Sequence, residues 1–293
     1  MNPAVKDPPS VFIVGCGDIG QRVARLWQQR GVPVTGLTRQ TSALAEAGIT
    51  PCQANLDEPA SLQALPVRDA LVYYFAPPPL RGRTDTRMRH FLDALKPDCL
   101  PARIVAISTS GVYGDQQGNL VDETTPTRPQ ADRAHRRLDA EVQLREFGRQ
   151  HNVAVIILRV GGIYGPGRLP IERLRQQVPM VHEHLAPLTN RIHAEDLAAV
   201  CLAAGRRGQA DAIYNVSDGC HSNMTEYFNT VADFLGLPRP PTIDWEQAEQ
   251  TLTPGMLSYL RESRRMDTTK MNEELGVKLR YPDLQQGLAA CKE

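Results

Sequence analysis

Short apolar runs alternate with longer stretches of helical spacing through the first half of the chain. The apolar runs are Val11 to Val14, Val34 to Leu37, Ala70 to Phe75, Ile104 to Ser108 and Val153 to Arg159. Between them, Gln21 to Arg30, Ser42 to Ala47, Thr84 to Leu95 and Ala131 to Gln150 read as helices. Strands without polar interruption are buried on both faces, so this order predicts an α/β fold with a mostly parallel, doubly wound sheet. Beyond Pro166 the rhythm loosens. Leu169 to Gln177, Ala194 to Ala204 and Met224 to Leu235 keep helical spacing, the last stopped by Gly236 and Pro238, and Ile213 to Val216 is a short strand.

The first strand runs straight into Gly15-Cys16-Gly17-Asp18-Ile19-Gly20 and then a helix. Each glycine of this G-x-G-x-x-G turn has a mechanical reason. Gly15 permits the tight turn, Gly17 lets a pyrophosphate approach the backbone, and Gly20 lets the helix pack on the sheet. Free N–H groups at the helix start, around Asp18 and Ile19, face the phosphates. The expected class is therefore Rossmann-type, with residues 1–168 a dinucleotide-binding domain. Residues 169–293 form mainly a smaller substrate-binding region, with segments returning to the sheet. No Gly-Lys-Ser/Thr ending follows the turn, which excludes a P-loop.

Composition narrows the partners. The chain of 293 residues carries 33 Lys plus Arg against 33 Asp plus Glu, so net charge gives no reason to expect nucleic acid. Its six cysteines are scattered without a C-x-x-C pair, which suits a reducing cytoplasm better than disulfides or structural zinc. No apolar run approaches the roughly 20 residues that span a bilayer. Pro3, Pro8 and Pro9 mark an irregular lead-in without a signal-peptide stretch.

An NAD site usually places an acidic residue about twenty positions beyond the glycine turn. Here the second strand ends in Thr38 and Arg39, a hydroxyl and a cation suited to a 2′-phosphate. NADP is expected, with NAD as the alternative; Arg39 as a plain solvated loop residue is the bland reading. Asp57, at the end of a third strand, either accepts from the adenine amino group or caps a helix. Ala76 and Pro77, after the fourth strand, leave room for the coenzyme and stiffen the exit.

Several segments together resemble the extended short-chain dehydrogenase/reductases, in the NAD-dependent epimerase/dehydratase branch. They are Gly15 to Gly20, Ser108-Thr109-Ser110-Gly111-Val112-Tyr113-Gly114, Asp122 to Pro126, Arg159 to Gly167, and Asn190 to Leu197. The tail Tyr259 to Arg265, then Leu275-Gly276-Val277 and Leu279 to Pro282, is similar to an atypical subgroup. The resemblance implies hydride transfer beside Thr109, with a tyrosine moving the substrate proton and a lysine four positions later. Counting back from Glu141 puts Arg137 at the lysine position and Arg133 at the tyrosine position. No tyrosine lies between Tyr113 and Tyr164, so no small shift restores one. Arginine stays charged and is a poor proton carrier.

Arg137 can still hold the ribose, and Arg133 can clamp an anionic substrate or fill the vacated space. Tyr113 is the nearest phenol, either a substitute or structural, and His135 a base or part of a cationic helix face. Ser110, Arg159 and Arg191 are the expected substrate-side residues, Arg159 and Gly161-Gly162 lying over the nicotinamide half. His193, before a helix start, organises the fold or lid rather than doing chemistry. His182 and His184 alternate as on a strand, without further ligands for a metal. The expected activity is that of an NAD(P)-linked oxidoreductase or epimerase acting on a small polar or anionic metabolite. The alternative is a non-catalytic NAD(P)-binding protein. The resemblance also implies a possible homodimer.

Overall fold

The computed structural model describes residues 6–291. Seven strands form the central sheet: β1 (Val11–Val14), β2 (Val34–Thr38), β3 (Thr50–Gln53), β4 (Leu71–Tyr74), β5 (Arg103–Thr109), β6 (Ala154–Val160) and β7 (Ala212–Val216). Their spatial order is β7-β6-β5-β4-β1-β2-β3, and every neighbouring pair is parallel. The fold is the mostly parallel Rossmann-type α/β sheet that the apolar runs predict. Because the chain crosses from β3 back to β4 on the other side of β1, a crevice opens beyond the carboxyl ends of β1 and β4. Val14 is in register with both Leu37 and Tyr74, so Gly15 and Phe75-Ala76 leave the sheet side by side.

Helix α1 (Asp18–Gln28) returns from β1 with Ile19, Val23 and Trp27 as its buried stripe. It packs on α4 (Ala194–Arg207), and the Trp27 indole N–H donates to the Tyr73 hydroxyl at 3.0 Å. That hydroxyl in turn donates to the Cys201 carbonyl at 3.0 Å. Burial of such large side chains contributes about 1.5–3 kcal/mol each. On the opposite face, α2 (Thr86–Asp93) and α3 (Asp132–His151) close a second core around Phe91, Leu144 and Phe147. Of the lead-in, Pro3 lies outside the described residues; Asp7 is tied to Arg30 at 2.7 Å and Arg206 at 2.9 Å.

The segments after residue 168 divide between two places. β7 joins the sheet edge and the helix Thr269–Leu275 packs on its face beside α4. Much of the rest, α4 excepted, gathers around a separate apolar cluster that includes Leu174, Phe228 and Leu260. Two pairings bring this region to the crevice. The strand Leu188–His193 runs parallel to Gly162–Tyr164, and Arg265–Met266 pairs with Leu120–Val121.

Candidate active site

Two cavities meet beyond the strand ends, of about 500 and about 540 Å³, and share Ile107, Ile163, Arg137 and Arg168 as walls. The outer one lies over the glycine turn. Gly15 has φ +88°, and a Cβ there would come within 2.4 Å of the Ala76 nitrogen, so both conformation and the neighbouring strand demand glycine. A Cβ at Gly17 would meet nothing within 4 Å. Gly17 offers no side chain to cap α1, so the first amides of that helix remain free. Space over Gly17 and free donors beside it fit a coenzyme diphosphate.

Around this turn the sequence candidates are already engaged. Asp18 accepts from Arg22 at 2.8 Å and from Arg168, and these guanidiniums hold its carboxyl below the usual range against the opposing effect of burial. Asp57 takes a two-pronged ion pair from Arg87, at 2.7 and 2.6 Å, which likewise lowers its pKa. Thr38 spends its hydroxyl on the Gln40 carbonyl at 2.7 Å, and Arg39 is exposed. Ile19, Gly20, Ala76 and Pro77 complete the outer walls.

The inner cavity begins where β5 ends. Thr109 accepts from the Gly111 N–H at 3.2 Å and starts the tight turn Ser110–Tyr113, leaving its own proton free to donate. Ser110 and Arg191 also line this cavity. Arg137 reaches in from α3 and donates to the carbonyls of Ala76 at 3.2 Å and Ile107 at 3.3 Å, at the exits of β4 and β5. It stands where the two cavities join. Arg133, one turn earlier, bonds Ser258 and stacks over Tyr259, 3.6 Å from the ring centroid. Arg191 stacks on Tyr227 at 4.0 Å and bonds Ser222 at 3.0 Å, and burial pushes its pKa down to about 10.

Some expected positions lie elsewhere. Tyr113 is fully buried off the cleft; its hydroxyl donates to Asn215 at 2.7 Å, and burial raises its pKa. Arg159 points behind β5 and β6, where it forms a buried pair with Glu141 at 2.8 Å. Glu141 also accepts from Ser108. Gly161 is required by its own neighbour: a Cβ there would sit 2.7 Å from the Asn190 carbonyl. The cationic run on α3 is not a solvated face, because Arg136 is buried and donates to the Gly82 carbonyl at 2.6 Å. His135 does not line either cavity. His193 is the N-cap of α4, packed between Tyr164 and Tyr281. His182 caps the tight turn Glu183–Leu185 and His184 lies within it, so they do not share a strand; their rings stack at 5.7 Å, and no metal-holding cluster occurs among the described residues.

Four charged residues of the cleft escaped the sequence reading. Arg87 and Arg168 bridge the outer rim, and Glu262 with Arg264 come from the tail. Within the tail, no local pattern singles out Glu262 or Arg264. The pairing of Arg265–Met266 with Leu120–Val121, invisible to local periodicity, brings them to the inner cavity.

Comparison with known proteins places the chain. Residues 11–217 match the NAD dependent epimerase/dehydratase family. Protein YeeZ of Escherichia coli K12 is 28% identical over 288 residues, covering 93% of this chain and 96% of its own. A conserved protein of unknown function from Silicibacter pomeroyi has a TM-score of 0.80 at 28% identity, over 97% of this chain and 98% of its own. MoeE5 in complex with UDP-glucose and NAD shares the fold, with a TM-score of 0.74 at 20% identity over 96% of both chains. These comparisons correct the expected NADP. NAD is the bound coenzyme in MoeE5 and in the dTDP-glucose 4,6-dehydratases of Streptomyces venezuelae and Bacillus anthracis. In this chain the Thr38 hydroxyl is turned onto its own backbone rather than held out for a 2′-phosphate, and Arg39 is exposed. The chain belongs to the NAD-dependent epimerase/dehydratase family.

Proposed function

We propose that this protein binds NAD in the outer cavity and acts as an oxidoreductase or epimerase on a small polar or anionic metabolite in the inner one. The observation that carries this reading is the continuity of the cleft from the uncapped start of α1 to Thr109, with Arg137 at the junction. The α1 amides hold the diphosphate, and the open space over Gly17 admits it. When bound, NAD supplies a nicotinamide carbon that exchanges a hydride with substrate. Arg137, fixed by two carbonyls, presents its remaining N–H groups to the ribose and to negative charge developing on a substrate oxygen. Thr109 orients that oxygen with its free proton. Arg191 and Ser110 position the distal part of the substrate.

UDP-glucose bound in MoeE5 supports nucleotide-linked sugars as the first substrates to try. The test pairs calorimetric titration with NAD and turnover across nucleotide sugars and hydroxy acids. The reading requires NAD binding and a turnover that Thr109→Ala lowers by about 10-fold or more. Binding without turnover of any compound supports the second reading, a non-catalytic NAD-binding protein, which the lack of a tyrosine between Tyr113 and Tyr164 favours.

A further inference from the structure

We infer that Glu262 transfers the substrate proton in this site, taking over the work of the missing tyrosine; the inference rests on the NAD-linked reading above. Among the described residues, Glu262 is the one carboxylate on the walls of the inner cavity. Its side chain is 3% exposed, yet Oε1 has no hydrogen-bond partner. A buried oxygen left unpaired is costly, which marks a position kept for something other than stability. Arg133, the residue counted to the tyrosine position, lies 3.9 Å from Oε1.

Glu262 is also firmly held. Its Oε2 accepts from Arg264 at 3.0 Å, and Arg264 donates at 2.7 Å to the Gly114 carbonyl, which closes the turn that starts after Thr109. The flanking backbone is pinned by Ser263 N–H to Asp115 at 2.9 Å and by Met266 N–H to Asn190 at 2.8 Å. Charged and titratable groups facing Glu262 are thus Arg133 from α3, Arg264 on its own segment, and Asp115 beyond it, with Tyr259 under Arg133.

Three phenols line the cavity, and Tyr259 is engaged through its ring by Arg133. Burial raises Tyr227 to about 12, and Tyr164 is raised further and donates to the Asp283 carbonyl at 3.2 Å. In the oxidative direction, the Glu262 carboxylate accepts the proton of the substrate hydroxyl. Bound NAD would take the C–H electron pair as hydride, so that the C=O bond forms as the O–H and C–H bonds break. The proton then passes from Glu262 to water. Reduction runs the same step backwards.

The test uses the full chain labelled with [5-13C]glutamate and loaded with NAD, probed with UDP-glucose, UDP-glucuronate, dTDP-glucose and small hydroxy acids. Glu262→Gln and Glu262→Asp each remove one carboxyl resonance and so identify it, and far-UV dichroism checks their fold. That resonance must move when a probe binds. Turnover must fall about 100-fold or more in Glu262→Gln and return in part in Glu262→Asp. The acidic limb of the native pH–rate profile must vanish with the Gln substitution. A bound probe that leaves the resonance unmoved, or a Gln variant within about three-fold of native turnover, overturns the inference. Calorimetry separates the failures. Absent NAD binding defeats the coenzyme reading and the inference with it, whereas NAD binding with a Glu262 resonance that no probe moves overturns the inference alone.

Discussion

The guanidinium of Arg133 lies 3.6 Å from the centroid of the Tyr259 ring, and this stack fastens α3 to the tail helix Pro254–Leu260 at the inner cavity. Arg133, which the resemblance puts at the tyrosine position, is in this fold committed to holding the cleft together. A partly exposed cation–π pair contributes about 0.5–1 kcal/mol. Tyr259→Ala should cost that much in global stability and speed amide exchange across residues 254–260, with the central strands unaffected. Hydrogen-exchange mass spectrometry decides; unchanged protection of the tail would refute the fastening role.

Behind the reacting strand, Glu141 and Arg159 form a buried pair that Ser108 completes. Removing one partner of such a pair leaves an uncompensated charge and typically costs about 3–5 kcal/mol. Glu141→Gln should fall in that range in urea unfolding, while Glu141→Leu combined with Arg159→Met recovers most of the loss. A single substitution costing under about 1 kcal/mol contradicts the packing described.

Asp218 gives the chain a pH signature. Burial pushes its carboxyl up to about 7, against the pull of the Cys220 N–H and Arg191. An unfolded aspartate titrates near 3.9, so between the two values the folded chain holds the extra proton. The contribution is complete below about pH 4, declines as pH rises and is gone above about pH 7. Partial solvent contact trims it to about 1–2 kcal/mol. Asp218→Asn keeps an acceptor for Cys220 and should flatten this slope in thermal melts from pH 4 to 8. A native slope that persists in the variant excludes Asp218 as its source.

The sheet was legible because its strands are buried on both faces and leave uninterrupted apolar runs; β1 was found to the residue. β3 is the exception. Thr50-Pro51-Cys52-Gln53 lies on the sheet edge, mostly exposed, where polar residues and a proline are tolerated, so no apolar run marks it. Helix α1 begins at Asp18 rather than Gln21 because the glycine turn is itself absorbed into the first helical turn. In α3 the buried face includes Arg136 and Glu141, so helical spacing could not say which side faced inward. The outer cavity is built around one short motif, the glycine turn, which the sequence marks. The inner cavity depends on pairing residues about 150 positions apart, such as Gly114 with Arg264, which local pattern does not encode.

Gly15 and Gly17 separate folding from binding. Gly15→Ala forces a Cβ into the Ala76 backbone at a positive φ and should destabilise by more than about 1 kcal/mol, measured in urea. Gly17 has φ −79° and open space around it, so Gly17→Ala should leave stability within about 0.5 kcal/mol.

NAD titration of native chain and Gly17→Ala by calorimetry tests the central claim most directly. On the proposed reading, a methyl group over the free α1 amides takes the place of the diphosphate. The account predicts that native chain binds NAD and that the variant, still folded, binds about 10-fold or more weakly. Equal NAD affinity in the two, or none in the native chain, would contradict it.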